Sequence, residues 1–74
     1  MYKDYDIKFG KNLRALRMAH KLTQDELASK LQAIDVDLTR HDIDEIEYGK
    51  RPIYPRELKA LRKVMKVSYE ELMP

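Results

Sequence analysis

One six-residue pattern occurs three times in this chain, and each copy predicts the start of a helix. An apolar residue precedes Ser or Thr, and three residues after that hydroxyl an acid precedes a second apolar residue. The copies are residues 22–27, 38–43 and 67–72. The hydroxyl can accept a hydrogen bond from the backbone N–H three residues on. The carboxylate of the acid can accept one from the backbone N–H of the Ser or Thr, and the two apolar side chains can pack together. The pattern therefore predicts capping boxes with hydrophobic staples at Thr23, Thr39 and Ser68.

The composition fits one small folded domain, and we expect a single domain over residues 1–74. The chain has no cysteine, so neither a disulfide nor a thiolate metal site is available to support its core. No apolar run approaches the roughly 20 residues that span a bilayer. Residues 1–6 are polar and unlike a signal peptide. A cytoplasmic protein without membrane contact is therefore the expectation.

The apolar spacing predicts five short helices and no strand. Helix 1 is expected to begin near Asp6, whose side chain would cap it, and to end at residues 20–21. Helix 2, capped by Thr23, has no clear stop signal, and a further helical turn over residues 32–34 would carry the isoleucine there inward. Because Asp readily bonds nearby backbone instead of continuing a helix, a turn is predicted at residues 35–37.

Helix 3, capped by Thr39, is predicted to span residues 40–48. Gly49 should end it, because glycine accepts the left-handed conformation found just after a helix. Pro55 suits the first turn of helix 4, and Ser68 caps helix 5. Because the starts of helices 2 and 3 lie only 16 residues apart, the two are expected to be close neighbours, as in helix pairs that read DNA.

The net charge of +2 is unevenly distributed. Residues 1–34 hold seven Lys or Arg against four acids, whereas residues 35–47 hold six acids against Arg40 alone. DNA carries a negative charge about every 1.7 Å of its axis and is bound mainly through Lys and Arg, so an acidic third helix opposes DNA binding. The opposition is not absolute, because Asp42 belongs to a capping box and a carboxylate can accept a hydrogen bond from cytosine N4.

Four segments of the chain carry a family resemblance: residues 13–17, 22–28, 46–51 and 67–72. Together they resemble the Cro and repressor type of helix-turn-helix proteins from phages and bacteria. The resemblance covers about residues 9–73. It implies an all-α, compact five-helix, lambda-repressor-like DNA-binding domain in which helices 2 and 3 form the helix-turn-helix. It also implies sequence-specific binding to double-stranded DNA, usually as a dimer, and we expect a weak homodimer here.

The resemblance implies a DNA-binding set of residues: Gln24, Thr39, Arg40, His41, Asp44, Glu45, Lys50 and Arg51. The members in helix 3 would face base edges in the major groove, with Asp44 at the border of that face. The glutamine at the start of helix 2 and the two cations after helix 3 would hold phosphates. Arg40 is the strongest candidate for base reading, since a bidentate contact to guanine gives about 1–3 kcal/mol of discrimination. The alternative for Arg40 is a solvated pair with Asp44 one turn on.

The resemblance further implies an internal ion pair of Arg17 with Glu47, which would link helices 1 and 3. The chain departs from the family in three respects. Its connection between helices 2 and 3 is about five residues longer than usual. Lys21 and Lys66 stand where the family often has glycine at helix ends, a conformation that costs a non-glycine residue some energy. Helix 3 is unusually acidic.

Two functions remain open at this point. The first is a DNA-binding transcriptional regulator, such as a repressor. The alternative is a protein-interaction module, antirepressor or antitoxin-like, that keeps the fold and binds a basic partner through its acidic third helix. An enzyme is not expected, because the sequence has no evident nucleophile–base pair, carboxylate dyad or phosphate-binding glycine loop. No cofactor or small-molecule ligand is expected, and His20 and His41 lack the spacing of a metal site.

Overall fold

The computed structural model describes residues 3–74, so Met1 and Tyr2, part of the polar start, lie outside the described residues. Within residues 3–74 every regular element is a helix, as predicted. The helices are α1 (Asp4–Ala19), α2 (Gln24–Gln32), α3 (Arg40–Glu47), α4 (Pro55–Met65) and α5 (Tyr69–Leu72). The five-helix, all-α architecture is therefore confirmed. None of these five helices is long and apolar enough to cross a lipid bilayer.

All three predicted capping boxes are present. The reciprocal pairs are Thr23–Glu26, Thr39–Asp42 and Ser68–Glu71. In the first, Thr23 Oγ1 accepts a hydrogen bond from Glu26 N at 3.0 Å, and Glu26 Oε1 accepts one from Thr23 N at 2.8 Å. In each box the backbone N–H bond stabilises the charged carboxylate and so lowers the pKa of the acid.

The start of α1 differs from the prediction. The first helical residue is Asp4, and Lys3 at the cap position makes no side-chain bond, so the expected cap by Asp6 is wrong. Asp4 and Asp6 lie instead in the first turn, where a carboxylate interacts favourably with the positive end of the helix dipole. The end of α1 is as expected: His20 follows the last helical residue, and Lys21 has a left-handed φ of 56°.

The end of α2 also differs from the prediction. The helix stops at Gln32, and the predicted further helical turn does not form. The chain turns at residues 33–35 instead, where Asp35 has a φ of 63°. Asp adopts this left-handed conformation more readily than most residues with a side chain, since it can hydrogen-bond locally. The earlier turn leaves Ile34 exposed and brings Val36 into the core.

The remaining helix ends match the expectations, except that α3 ends at Glu47, one residue before its predicted end. Gly49 follows α3 with a φ of 73°, and Lys66 follows α4 with a φ of 56°. Pro55 is the first residue of α4. Gly49 is also packed closely, because an added Cβ would overlap the backbone and side chain of Ile7. The glycine therefore serves both the turn and the contact between α1 and the end of α3.

The core is formed by apolar side chains from all five helices, from the α2–α3 connection and, through Val67, from the α4–α5 connection. They are Phe9, Leu13, Leu27, Ala28, Leu31, Val36, Leu38, Ile43, Ile46, Ala60, Leu61, Met65, Val67 and Leu72. Gly10 of α1 is buried against α3, where an added Cβ would overlap the backbone carbonyl oxygens of Ile46 and Glu47. This close approach was not predicted from the sequence. It brings the side chains of α1 within reach of the acids of α3.

Candidate nucleic-acid interface

The outer face of α3 presents Arg40, His41 and Glu45. The side chains of Arg40 and His41 are 68% and 78% exposed. Thr39, just before this face, uses its hydroxyl to donate to and accept from Asp42 in the capping box. When a helix enters the major groove, the side chains near its N-terminus approach the base edges. The first turn of α3 therefore exposes a guanidinium and an imidazole on the outer face of the helix.

The neighbouring acids do not fix these two side chains. Arg40 Nη1 lies 3.7 Å from Asp25 Oδ2 of α2, and His41 Nε2 lies 3.7 Å from Glu45 Oε1. Both distances exceed hydrogen-bond range, and ion pairs between exposed side chains contribute little to stability. The acid beside Arg40 is thus Asp25 of α2, and not Asp44 as in the alternative considered from the sequence.

Arg17 of α1 and Glu47 of α3 form an ion pair on the inner side of α3. Arg17 Nε lies 2.6 Å from Glu47 Oε2, and Arg17 Nη2 donates to Glu47 Oε1 at 3.1 Å. The exposed fractions of the two side chains are 11% and 2%. The hydrogen bond to Glu47 raises the pKa of Arg17 despite the opposing effect of burial. The Glu47 charge is therefore neutralised within the protein.

Gln24 joins the start of α2 to two acids of α3. Its Nε2 donates to Asp44 Oδ1 and to Glu47 Oε1, both at 3.1 Å. Because both partners are carboxylate oxygens, the NH2 end of the amide must face them, and both of its donors are then in use. To hold a phosphate through its amide, as the resemblance implies, Gln24 would have to give up one of these bonds.

The two cations after α3 have different surroundings. Lys50 is exposed, and its Nζ lies 5.6 Å from the centre of the Tyr48 ring. Arg51 makes two bonds to Glu57 of α4, at 3.0 and 2.8 Å, and one to the Pro52 carbonyl at 2.8 Å. Burial is the largest single influence on Glu57 and acts against its ionisation, yet the bonds from Arg51 and from the Tyr54 N–H, together with the charge of Arg51, outweigh it and lower the pKa of this carboxyl. Lys50 is thus free to meet a phosphate, whereas Arg51 holds the loop to α4.

A groove of about 500 Å³ lies beside α3, between the end of α1 and the start of α2. Arg14 and Lys21 line it together with Thr23 and Tyr48. Both cations are exposed. Neither belongs to the DNA-binding set expected from the sequence, and no helical spacing links them, because Lys21 lies beyond the end of α1 with a left-handed φ. The groove therefore adds two cations to the surface that includes the start of α2.

No protein-family model matches the chain. Two curated relatives from Bacillus subtilis (strain 168) do match it. The chain is 42% identical over 66 residues to the "Uncharacterized HTH-type transcriptional regulator RghRB" and 39% identical over 66 residues to the "HTH-type transcriptional repressor RghR". Each alignment covers 88% of this chain but 44% and 45% of the relatives, so the chain spans less than half of their length. Their names describe transcriptional regulators and not enzymes, as predicted for this chain.

One solved structure, the restriction-modification controller protein C.AhdI from Aeromonas hydrophila, is similar over nearly the whole chain. It is 29% identical, with a TM-score of 0.80 over 92% of this chain and 96% of that one. This similarity agrees with the predicted fold class. None of the three named proteins favours the alternative of a protein-interaction module.

Proposed function

Because this chain belongs to the Cro/repressor type of helix-turn-helix proteins, we propose that it binds double-stranded DNA sequence-specifically as a small transcriptional regulator, with α3 in the major groove. The observation that carries the proposal is the exposure of Arg40 and His41 in the first turn of α3. From that position the two side chains read base edges. The names of the relatives, a regulator and a repressor, support the same function and favour repression.

The acids of α3 are compatible with this function because the protein itself engages most of them. Glu47 is buried and paired with Arg17. Asp42 interacts with the N-terminus of its own helix, where negative charge is favourable. Asp44 keeps its charge, and a hydrogen bond from Gln24 holds one of its oxygens. The repulsion that DNA phosphates meet at α3 is therefore smaller than a count of acids in the sequence suggests.

We assign the backbone contacts to cations that are exposed around α2 and α3. Lys50 follows α3 and is exposed. Arg14 and Lys21 line the groove beside the start of α2. Phosphate contacts of this kind set the position of a protein on the duplex without reading its sequence. In this assignment Arg51 supports the loop through Glu57 and does not itself hold a phosphate.

We further propose that the protein binds a palindromic site as a weak homodimer. An eight-residue α3 reads only part of one turn of DNA, and dimers of such domains bind two half-sites about one helical turn, roughly 34–36 Å, apart. The proposal includes a cytoplasmic location, where the DNA of a bacterium or an infecting phage is accessible. Sedimentation with and without a palindromic duplex tests the dimer: association that appears only on the duplex or at high protein concentration is expected.

Selection from a random-sequence duplex pool tests the proposed function. The bound fraction is sequenced after binding at about 50 and 200 mM salt, because release of counterions makes DNA affinity fall steeply as salt rises. Enrichment of one palindromic motif, with strong salt dependence, is the expected result. Absence of binding at the lower salt concentration would refute the proposal and would favour a protein partner for the acidic helix.

Two matched variants separate base reading from backbone contact. Arg40→Ala should relax the preference at one position of the motif, whereas Lys50→Ala should weaken binding to all sequences alike and reduce the salt slope by about 1. Lys63→Ala, which removes an exposed cation of α4, is the control for a change of net charge and should change affinity less than Lys50→Ala. If binding ignored both Arg40→Ala and Lys50→Ala, α3 and its following loop would not form the interface.

A further inference from the structure

The bridge made by Gln24 leaves Asp44 with one occupied and one open carboxylate oxygen. Gln24 Nε2 donates to Asp44 Oδ1 at 3.1 Å and, through its second hydrogen, to Glu47 Oε1 at the same distance. Glu47 is in turn fixed by the buried bonds from Arg17. A continuous set of bonds therefore runs from a buried ion pair to Asp44, while Asp44 Oδ2 accepts no hydrogen bond from any of residues 3–74.

Asp44 lies on the reading side of α3. A surface depression of about 240 Å³ is lined by Gln24, Arg40, His41 and Asp44. Arg40 precedes Asp44 by four residues in the same helix, so the two side chains project from one face, one turn apart. Asp44 thus belongs to the same concave surface as the guanidinium and imidazole proposed to read bases.

We propose that Asp44 is a specificity-determining residue that accepts a hydrogen bond from the N4 amino group of a cytosine, and that Gln24 is the positioning residue that orients it. This inference rests on the proposed DNA-binding function. Arg51 and Lys50 play no part in it. The partner is one base pair of each half-site in the major groove.

The chemistry of the groove edge selects cytosine. A carboxylate offers acceptors only, so it needs an amino donor from the base. Guanine presents two acceptors and thymine presents an acceptor and a methyl group. Adenine presents its N6 amino group between two acceptors that repel a carboxylate, its own N7 and the paired thymine O4, whereas cytosine N4 has one neighbouring acceptor, the paired guanine O6. The charged oxygen of Asp44 is therefore matched best by cytosine.

The role of Gln24 follows because an aspartate side chain that no neighbour holds can adopt several orientations. A recognition group has to be held by neighbouring side chains close to its productive geometry, or its contact loses selectivity. The neutral amide of Gln24 orients Asp44 without cancelling its charge, as a lysine or arginine would. The buried Arg17–Glu47 pair fixes the amide itself, because Glu47 Oε1 accepts its second N–H.

The Asp44→Asn variant tests the reading role. Asparagine keeps the size of the side chain but gives it a donor as well as an acceptor, which suits adenine. In selection from the random duplex pool, the wild-type chain should prefer cytosine at one position of each half-site by at least about fivefold. Asp44→Asn should abolish that preference or shift it to adenine, and should leave the other positions unchanged.

The Gln24→Met variant tests the positioning role at the same position. It removes both amide donors and should flatten the cytosine preference without changing the preference read by Arg40. Because Gln24 acts through Asp44, adding Gln24→Met to Asp44→Asn should cause no further change at that position. Arg40→Ala is the matched control, since it should alter a different position. Thermal unfolding of each variant verifies that it is folded during selection.

Three results would overturn the inference. If folded Asp44→Asn selects the wild-type motif unchanged, Asp44 does not read a base, although the proposed DNA-binding function survives. If Gln24→Met weakens binding to all sequences equally and leaves the motif intact, Gln24 is a phosphate contact or a purely structural residue. If the wild-type chain enriches no motif at low salt, the proposed function itself fails, and the inference fails with it.

Discussion

The two faces of α3 carry charged and polar side chains in opposite physical settings. On the inner face, Glu47 is buried against α1 and lies within 2.6 Å of the Arg17 guanidinium. On the outer face, Arg40 and His41 are largely exposed, and the acids beside them lie 3.7 Å away. The inner charges are bound by specific, short hydrogen bonds, whereas the outer ones are surrounded mostly by water.

This difference shows that burial, and not the count of charges along the chain, determines what each charged residue of α3 does. A buried carboxylate must be paired, since an uncompensated buried charge is strongly destabilising. An exposed charge loses little when its neighbour is removed, so it is available for a ligand. We propose that stability and recognition belong to different faces of one eight-residue helix, and each prediction below tests that separation.

Disrupting the buried pair should cause the largest change in the free energy of unfolding. Arg17→Met removes the cation and leaves Glu47 buried without its ion partner, which typically costs about 3–5 kcal/mol. Urea unfolding followed by circular dichroism at neutral pH measures the loss. The double variant Arg17→Met, Glu47→Leu removes both charges and should lose much less. Equal losses in the single and double variants would mean that the pair does not behave as a buried one.

The close approach of α1 and α3 should give the next largest effect. Alanine normally stabilises a helix interior relative to glycine by about 1 kcal/mol. At Gly10 the sign should reverse, because the added Cβ would overlap the carbonyl oxygens of Ile46 and Glu47. We expect Gly10→Ala to lose about 1–3 kcal/mol, the usual cost of overpacking, as a lower melting temperature. Lys11→Ala, on the exposed side of α1, is the control and should be nearly neutral; a stabilised Gly10→Ala protein would contradict the close contact.

The start of α3 should give an intermediate effect. Thr39→Ala removes the hydroxyl that accepts from Asp42 N at 3.1 Å, and loss of such a cap typically costs about 1 kcal/mol. Chemical denaturation measures this change directly. Because the cap belongs to α3 as a whole, DNA affinity should fall for every sequence alike. A change of base preference in Thr39→Ala would instead make Thr39 a reading residue.

The same cap predicts a dependence of stability on pH. The bond from Thr39 N–H lowers the pKa of Asp42 below its ordinary value of about 3.9. The folded state therefore binds this proton less readily than the unfolded state. The contribution of Asp42 to the free energy of unfolding is complete above its unfolded pKa. It is lost as the pH falls through the lowered folded pKa. Unfolding between pH 7 and pH 2 should show a smaller acid-induced loss for Asp42→Asn than for the wild-type chain; identical profiles would contradict this role.

Features that depend on local chemistry are predictable from the sequence of this protein. The three capping boxes need only residues three apart, so their pattern locates the starts of α2, α3 and α5 correctly. The left-handed residues Lys21, Gly49 and Lys66 are likewise where the helix ends require them. The end of α2 is not predictable in this way, because the local sequence permits both a further helical turn and a turn at Asp35. Burial of Val36 in place of Ile34 decides between them.

Features that depend on contacts between distant residues are the ones that sequence reasoning missed. Gly10 has no turn or helix end nearby to explain it, and its reason is the backbone of α3. The bonds from Gln24 to Asp44 and Glu47 join residues 20 and 23 positions apart, and no spacing rule predicts them. The assignment of Arg17 to Glu47 came from the family resemblance, for the same reason. The candidate site is therefore predictable as a surface, but not as a set of bonds.

The outer face should give the smallest effect on stability. Arg40→Ala removes an exposed side chain whose acidic neighbour, Asp25, lies beyond hydrogen-bond range, so the free energy of unfolding should change by less than about 0.5 kcal/mol. The same variant should lose base discrimination at one position of the motif. A stable protein with altered selectivity would show that recognition at this face is separate from folding. A loss of stability comparable with that of Arg17→Met would instead show that the outer face of α3 also stabilises the fold.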